Sequence, residues 1–327
     1  YKQSLINKAA NEEEFQRIKD NVALNVVNTY LNVMLNKENL SIADIQYKFS
    51  IEQLERVKEL VAAGTQPRAN VFDAEATLAS DQQSLTVAEN NYNLALLALS
   101  QVLQVPFEGF AVEQITLDTP SELFLFNDVN SILAHALKNR SEIKVAEKNI
   151  EAAELGKEIS RSGFYPNLSI SYGLNTGANF SNLSSENSFF QQINDNRGHS
   201  FALSLNIPIF SRFQNKTALA KAKIQVDNRN LALEQAKVDL ESNIQRAFTD
   251  AKAALKTYVS SQKSVAARQL SFDNAQERYN IGALNTLDLE QNRTQLVNAQ
   301  SSLVRSKYDF IFKTKVLDFY LGKPLNL

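Results

Sequence analysis

Few side chains in this 327-residue sequence are equipped for covalent chemistry. There is no cysteine, hence no thiolate nucleophile and no disulfide framework. The two histidines, His135 and His199, are too few and too isolated for a histidine-based metal site or proton relay. No nucleophile–base pair, phosphate-cradling loop or catalytic metal cluster is legible, so neither an enzyme nor a cofactor is expected. Polar residues stand on the flanks of two glycines: Asn70 and Asp73 follow Gly64, Tyr279 precedes Gly282, and Asp288 and Gln291 follow it. An aspartate near a helix start is favoured by the helix's positive end. Asp73 reads equally well as a plain surface charge. The chemistry on offer is hydrogen bonding and electrostatics rather than bond breaking.

The elements that carry these residues are long helices. Residues 209–281 contain no Gly and no Pro, a run of 73, with Val226, Leu233 and Leu240 seven apart. At about 1.5 Å of rise per residue such an arm is roughly 100 Å long. After Gly282 a second helical pattern covers residues 283–321, with Leu289, Leu296, Leu303, Phe310 and Leu317 in strict steps of seven. A seven-residue apolar period winds helices around one another, so this is a long helical hairpin. The first part of the chain repeats the plan. Residues 1–63 lack Gly and Pro and carry Val22, Val26, Tyr30, Val33 and Leu40 at helical spacing. Gly64 and Pro67 break the run, and Val71, Leu78, Leu85, Tyr92 and Leu99 come after it at steps of seven. Setting Gly64 on Gly282 gives an offset of 218 that superposes Leu78 on Leu296, Leu85 on Leu303 and Leu99 on Leu317 without a gap. Any two heptad helices align their leucines; a shared turn glycine with long Gly-free arms before both turns signals an internal repeat.

Between the hairpins the pattern changes. Residues 107–126 hold Gly109 and Pro120 and read as an irregular connector. Asp128 is placed to cap a helix reaching Lys138, and a further helix runs to Ser162 after a break near Arg140. In residues 167–175, Leu168, Ile170, Tyr172 and Leu174 alternate with small polar residues. In residues 200–208, Phe201, Leu203, Leu205 and Ile207 do the same. Two strands of about ten residues, apolar on one face, suit a membrane barrel whose apolar face meets lipid. A soluble hairpin with one face on a core is the competing reading. The polar segment 176–199 between them reads as a solvated loop. The chain thus divides into four regions: a first hairpin at 1–105, a connector with helices at 106–165, a transmembrane β-hairpin with its external loop at 166–210, and a second hairpin at 211–327. The class is mainly α, with two internal repeats. The net charge of −2 gives no reason to expect nucleic acid.

Several stretches together resemble one family. Tyr279-Asn280-Ile281-Gly282, Thr286-Leu287-Asp288-Leu289 and the helix on to Leu321-Gly322 are similar to the second-repeat turn of the outer membrane efflux proteins, the TolC-like channels. Phe164-Tyr165-Pro166-Asn167-Leu168-Ser169 and Leu205-Asn206-Ile207-Pro208-Ile209-Phe210 look like that family's strand signatures. The resemblance implies a homotrimer with a β-barrel in the outer membrane of a Gram-negative bacterium and a coiled-coil α-barrel crossing the periplasm. Its expected role is a passive export duct in a tripartite efflux pump. Its expected partners are a periplasmic adaptor (membrane fusion protein) on the hairpin tips, an inner-membrane transporter and outer membrane lipid. Members of the family give four strands each, and this chain shows the second pair. The first pair, the helix before it and any lipid-anchoring cysteine are expected ahead of Tyr1, and the fragment alone is not expected to close a barrel.

The resemblance also assigns the tips. Tyr279 matches the family's gating tyrosine, whose aspartate partner is here Asn70, leaving a neutral hydrogen bond as the weaker lock. The family's gating arginine is here Leu284, so its closing salt bridge is absent. Asp288 matches the first of two constriction aspartates, and Gln291 replaces the second. Three copies of Asp288 would favour cations, repel anions and offer oxygen ligands to a divalent ion. Alternatives remain: an outer component of type I protein secretion, the pump's adaptor with a single hairpin, or a soluble coiled-coil scaffold.

Overall fold

The fold was analysed in a computed structural model that describes residues 1–113, 126, 128–180 and 188–325. Among the described residues, seven helices and two strands run in this order: α1 (Lys2–Ala62), α2 (Ala69–Leu103), α3 (Val129–Asn139), α4 (Ser141–Ser162), β1 (Asn167–Asn175), α5 (Phe189–Asp195), β2 (Gly198–Asn206), α6 (Gln214–Asn280) and α7 (Thr286–Tyr320). They form two compact units, Tyr1–Asn11 with Val145–Glu234, and Glu12–Lys144 with Gln235–Leu327.

The first unit holds the β-hairpin. Its antiparallel register pairs Leu168 with Leu205, Ile170 with Leu203 and Tyr172 with Phe201, so the apolar residues of both strands share one face. That face is uncovered: Ile170 is 77% exposed, Leu203 70% and Phe201 79%. The strand β2 begins and ends two residues earlier than its alternation suggests, because His199 continues the phase of Phe201, Leu203 and Leu205 and pairs with Leu174. The Tyr172 hydroxyl lies 2.7 Å from His199 Nδ1. Ile207 therefore falls beyond the strand, next to Pro208, which has no amide hydrogen for the ladder.

The loop between the strands is not wholly irregular. Ser188 caps the short α5. Thr176 Oγ1 donates to Ile193 O at 2.5 Å, and Asn196 Nδ2 donates to Gly177 O at 2.7 Å. Residues 181–187 of that loop and 114–125 of the connector lie outside the described residues. The start of α6 also differs from the expected Ser211. Arg212 and Phe213 adopt positive φ, and the helix begins at Gln214, where Asn215 Nδ2 donates to Gly163 O at the end of α4.

The second unit is a helix assembly. Val27, Tyr30, Leu31, Val33 and Met34 of α1 pack on Ala95, Leu96 and Leu99 of α2 and on Val304 and Tyr308 of α7. Tyr30 and Val33 of the expected stripe are buried on α1, joined by Val27, Leu31 and Met34, while Val22 is half exposed. Val26 and Val27 are both apolar, so spacing alone did not show that the buried face is wider than one stripe and includes Val27. Farther along, Ala254, Leu255 and Tyr258 of α6 meet Phe310 of α7. Of the heptad leucines of α7, Leu303 is half-buried, and Leu289, Leu296 and Leu317 are buried. Burying each is worth about 1.5–3 kcal/mol. The Tyr308 hydroxyl donates to Glu38 Oε1 at 2.5 Å, and burial, then that carboxylate, pushes its phenol well above the ordinary range. Asp128 caps α3 as its position suggests, accepting from Asn130 N at 2.9 Å.

Candidate functional site

Both tips lie in the second unit and end their first helix the same way. At the first, Gly64 N donates to Val61 O and Thr65 N to Leu60 O, with Gly64 at φ +72. At the second, Gly282 N donates to Tyr279 O and Ala283 N to Arg278 O, with Gly282 at φ +74. This paired closure satisfies the last carbonyls and needs a left-handed residue, which glycine supplies without a Cβ penalty.

The helices that leave the tips start differently. Asn285 Oδ1 accepts from Asp288 N at 2.8 Å, so α7 begins at Thr286 with a side-chain cap, three residues later than its Gly-free run begins. The N-cap of α2 is Arg68, which makes no side-chain cap bond. Asp288 is half-buried in the first turn of α7, where the helix's positive end favours its carboxylate. Its carbonyl accepts from Asn292 Nδ2 at 2.8 Å.

Tyr279 is buried among Phe272, Ala275, Leu289 and Leu296, with Phe49 and Leu284 packed against them. Its hydroxyl is buried without a hydrogen-bond partner among the described residues. Asn70 Nδ2 donates instead to Gln66 Oε1 on its own tip at 3.2 Å. An unmatched buried hydroxyl costs about 1–3 kcal/mol. Asp73 and Gln291 are exposed. Phe72, Ile281 and Leu287 are 69–79% exposed around the two turns. Sequence reasoning gave these three no role, although each is an apolar residue within eight positions of a turn glycine and off the heptad line.

The sequence also hid a buried ionic cluster above the second tip. Arg293 of α7 is 7% exposed. Its Nη1 donates to Asp81 Oδ2 of α2 at 2.6 Å, and its Nε to Glu290 Oε2 of α7 at 2.7 Å. Nη1 also reaches Ser50 Oγ of α1 at 3.2 Å, while the Ser50 hydroxyl donates to Asp81. The guanidinium lies 5.7 Å from the Phe49 ring centre. A second buried arginine, Arg140, sits at the α3–α4 break. It pairs with Asp20 at 3.2 Å and Glu142 at 3.3 Å and stacks 3.9 Å from the Phe319 ring centre. A cavity of about 450 Å³ opens there, lined by Asp20, His135, Arg140 and Tyr320 among others. Burial raises the Tyr320 phenol, as does the nearby Glu142 charge.

Among the described residues, no group of three or more His, Asp or Glu is placed to hold a metal ion. No helix among them is long and apolar enough to cross a membrane.

Comparison with known proteins supplies the frame for these features. Residues 132–323 match the family described as Outer membrane efflux protein. The pyoverdine export outer membrane protein OpmQ of Pseudomonas aeruginosa is 23% identical over 93% of this chain and 62% of its own length. The outer membrane protein TolC of Escherichia coli K12 is 22% identical over 98% of this chain and 65% of its own. The chain thus spans under two thirds of the length of both relatives. The crystal structure of the outer membrane protein VceC from Vibrio cholerae superposes with a TM-score of 0.76 at 19% identity, covering 99% of this chain and 75% of that one. The fold is shared with that protein.

Proposed function

The chain belongs to the outer membrane efflux protein family, and on that footing we propose that it is the export-duct part of a tripartite efflux pump. Three copies assemble, and β1 and β2 of each contribute to a barrel in the outer membrane. The α1–α2 and α6–α7 hairpins line a passage on the periplasmic side. A periplasmic adaptor docks at the tips around Gly64 and Gly282, and an inner-membrane transporter supplies the energy. The chain itself catalyses nothing; it conducts.

One observation carries this reading. The apolar face of the β-hairpin, with Leu168, Ile170, Tyr172 and Leu174 on β1 and Phe201, Leu203 and Leu205 on β2, is exposed along both strands. An isolated two-stranded hairpin is marginal in water, and nine residues per strand suit a tilted crossing of a bilayer. Lipid is the solvent for such a face, and neighbouring strands complete its ladder. At the tips, Gly64, Asn70, Asp73, Tyr279, Gly282, Asp288 and Gln291 mark the periplasmic mouth. Asp288 forms a ring of three carboxylates there, and Tyr279 packs behind it.

Reconstitution of the intact protein into planar lipid bilayers tests this. It is expected to behave as a trimer in detergent and to give discrete conductance steps. Polyvalent cations added on the periplasmic side should block the current, and Asp288→Ala should weaken that block. Free solubility without detergent, together with silent bilayers, would overturn the duct; unchanged block would remove the carboxylate ring while leaving the duct intact.

A further inference from the structure

From the buried cluster around Arg293 we infer that this residue is an electrostatic latch, holding the first turns of α7 against the first hairpin and so positioning Asp288. The functional part of this statement rests on the duct reading; the latch itself does not. The two ends of the network differ in kind. Glu290 stands three residues from Arg293 on α7 and travels with it. Asp81 on α2 and Ser50 on α1 belong to the other hairpin. Within the second hairpin, Ser271 Oγ on α6 donates to Asn292 Oδ1 at 2.9 Å, and Leu289 and Leu296 pack on Phe272 and Tyr279. At this level Phe49 and the Arg293 network join that hairpin to α1 and α2.

Arg293 interrupts an apolar seam between Leu289 and Leu296. Apolar contacts tolerate sliding and rolling, whereas a buried ion pair with directed hydrogen bonds is satisfied in one register. A buried guanidinium pulled from Asp81 keeps a cost until water or another carboxylate reaches it, so the tie holds or releases as a unit. The position in the chain adds weight. Leu284 and Asn70 leave the tips without an ionic contact of their own at those places, while a charge-paired lock stands eleven residues above Gly282. Toward the far end of α7, an ion pair to α1 runs from Lys307 Nζ to Glu38 Oε1 at 2.8 Å, fourteen residues beyond Arg293, so Arg293 is the ionic tie near Asp288.

Hydrogen exchange on the intact trimer, with conductance measured in parallel, tests the latch. Arg293→Gln and Asp81→Asn are each expected to speed exchange across residues 286–296 by about tenfold or more, leaving 303–317 unchanged, and to raise mean conductance. The double variant should exceed neither single variant, because each removes the same tie. Arg293→Lys, which keeps the charge but loses the second donor direction, should fall between. If Arg293→Gln fails to assemble, Asp81→Asn and Arg293→Lys carry the measurement. Exchange within twofold of the unmodified protein, or additive effects in the double variant, would overturn the latch. A silent unmodified channel whose exchange still responds as expected would instead remove the duct and keep the latch.

Discussion

The two tips share one bend and differ in the helix that leaves it. Gly64 and Gly282 close their helices with the same pair of backbone bonds at nearly the same positive φ. Beyond the bend, α7 starts from the Asn285 cap, buries Leu289 and pairs Arg293 across to α2, whereas α2 starts uncapped from Arg68. The residues of α2 at the same offset are the half-buried Val71 and an exposed Glu75. A repeat thus preserves the geometry of a turn, which is backbone physics, while its side chains diverge. The second tip is the more tightly specified of the two, with its anchors pointing into the protein. The first offers fewer ties, and its polar side chains serve each other, as Asn70 does with Gln66.

Four sets of substitutions sharpen or break that contrast, each read as a shift in denaturant midpoint of the detergent-solubilised trimer. The largest effect is expected at the anchor: Leu289→Ala should cost about 2–5 kcal/mol and Val71→Ala clearly less. Equal losses would mean the tips are anchored alike. Next, Gly64→Ala and Gly282→Ala should each cost about 1–2 kcal/mol, since open space surrounds both positions and the left-handed backbone is the only obstacle. A large difference between them would show that one bend is held by more than its own geometry. Asn285→Ala should cost about 1 kcal/mol while Arg68→Ala leaves the midpoint within error, because only the first removes a cap. The smallest change is expected from Tyr279→Phe. Removing an unmatched hydroxyl should leave stability unchanged or raise it by up to about 1 kcal/mol. A clear loss there would reveal that assembly supplies the hydroxyl with a partner, Asn70 being the candidate from the resemblance.

Features were legible in the sequence to the extent that the interactions behind them are periodic or local. The bends at Gly64 and Gly282, the heptad leucines of α7 and the alternation of β1 could all be read, because glycine conformations and apolar periods repeat locally. The Asp128 cap was legible because its partner stands two residues away. Arg293 was not: a single charge on a long polar helix reads as a solvated face, and its partners Asp81 and Ser50 stand more than 200 positions away in the chain. The two-residue shift of β2 went unseen because His199 is polar by type yet sits in the apolar phase of its strand. The start of α6 was misplaced because Arg212 and Phe213 hold positive φ with side chains that rarely do so. The short α5 was hidden inside a segment whose Asn, Ser and Gln content favours loops, although Ser188 ahead of Phe189 was an available cap signal. The exposed Phe72, Ile281 and Leu287 carried no period at all.

The central claim is that the apolar face of the β-hairpin meets lipid. The chain has no cysteine of its own, so single cysteines can be placed along both strands and spin-labelled in the vesicle-reconstituted protein. Collision with oxygen, which concentrates in lipid, and with a water-soluble nickel complex then reports each position's surroundings. The duct account predicts that labels at Leu168, Ile170 and Leu203 collide with oxygen, while labels at Ser169, Ser171 and Ser204 collide with the nickel complex, alternating residue by residue. Labels at Ile170 and Leu203 that reach the nickel complex as readily as those at Ser171, or that are shielded from both reagents, would contradict it.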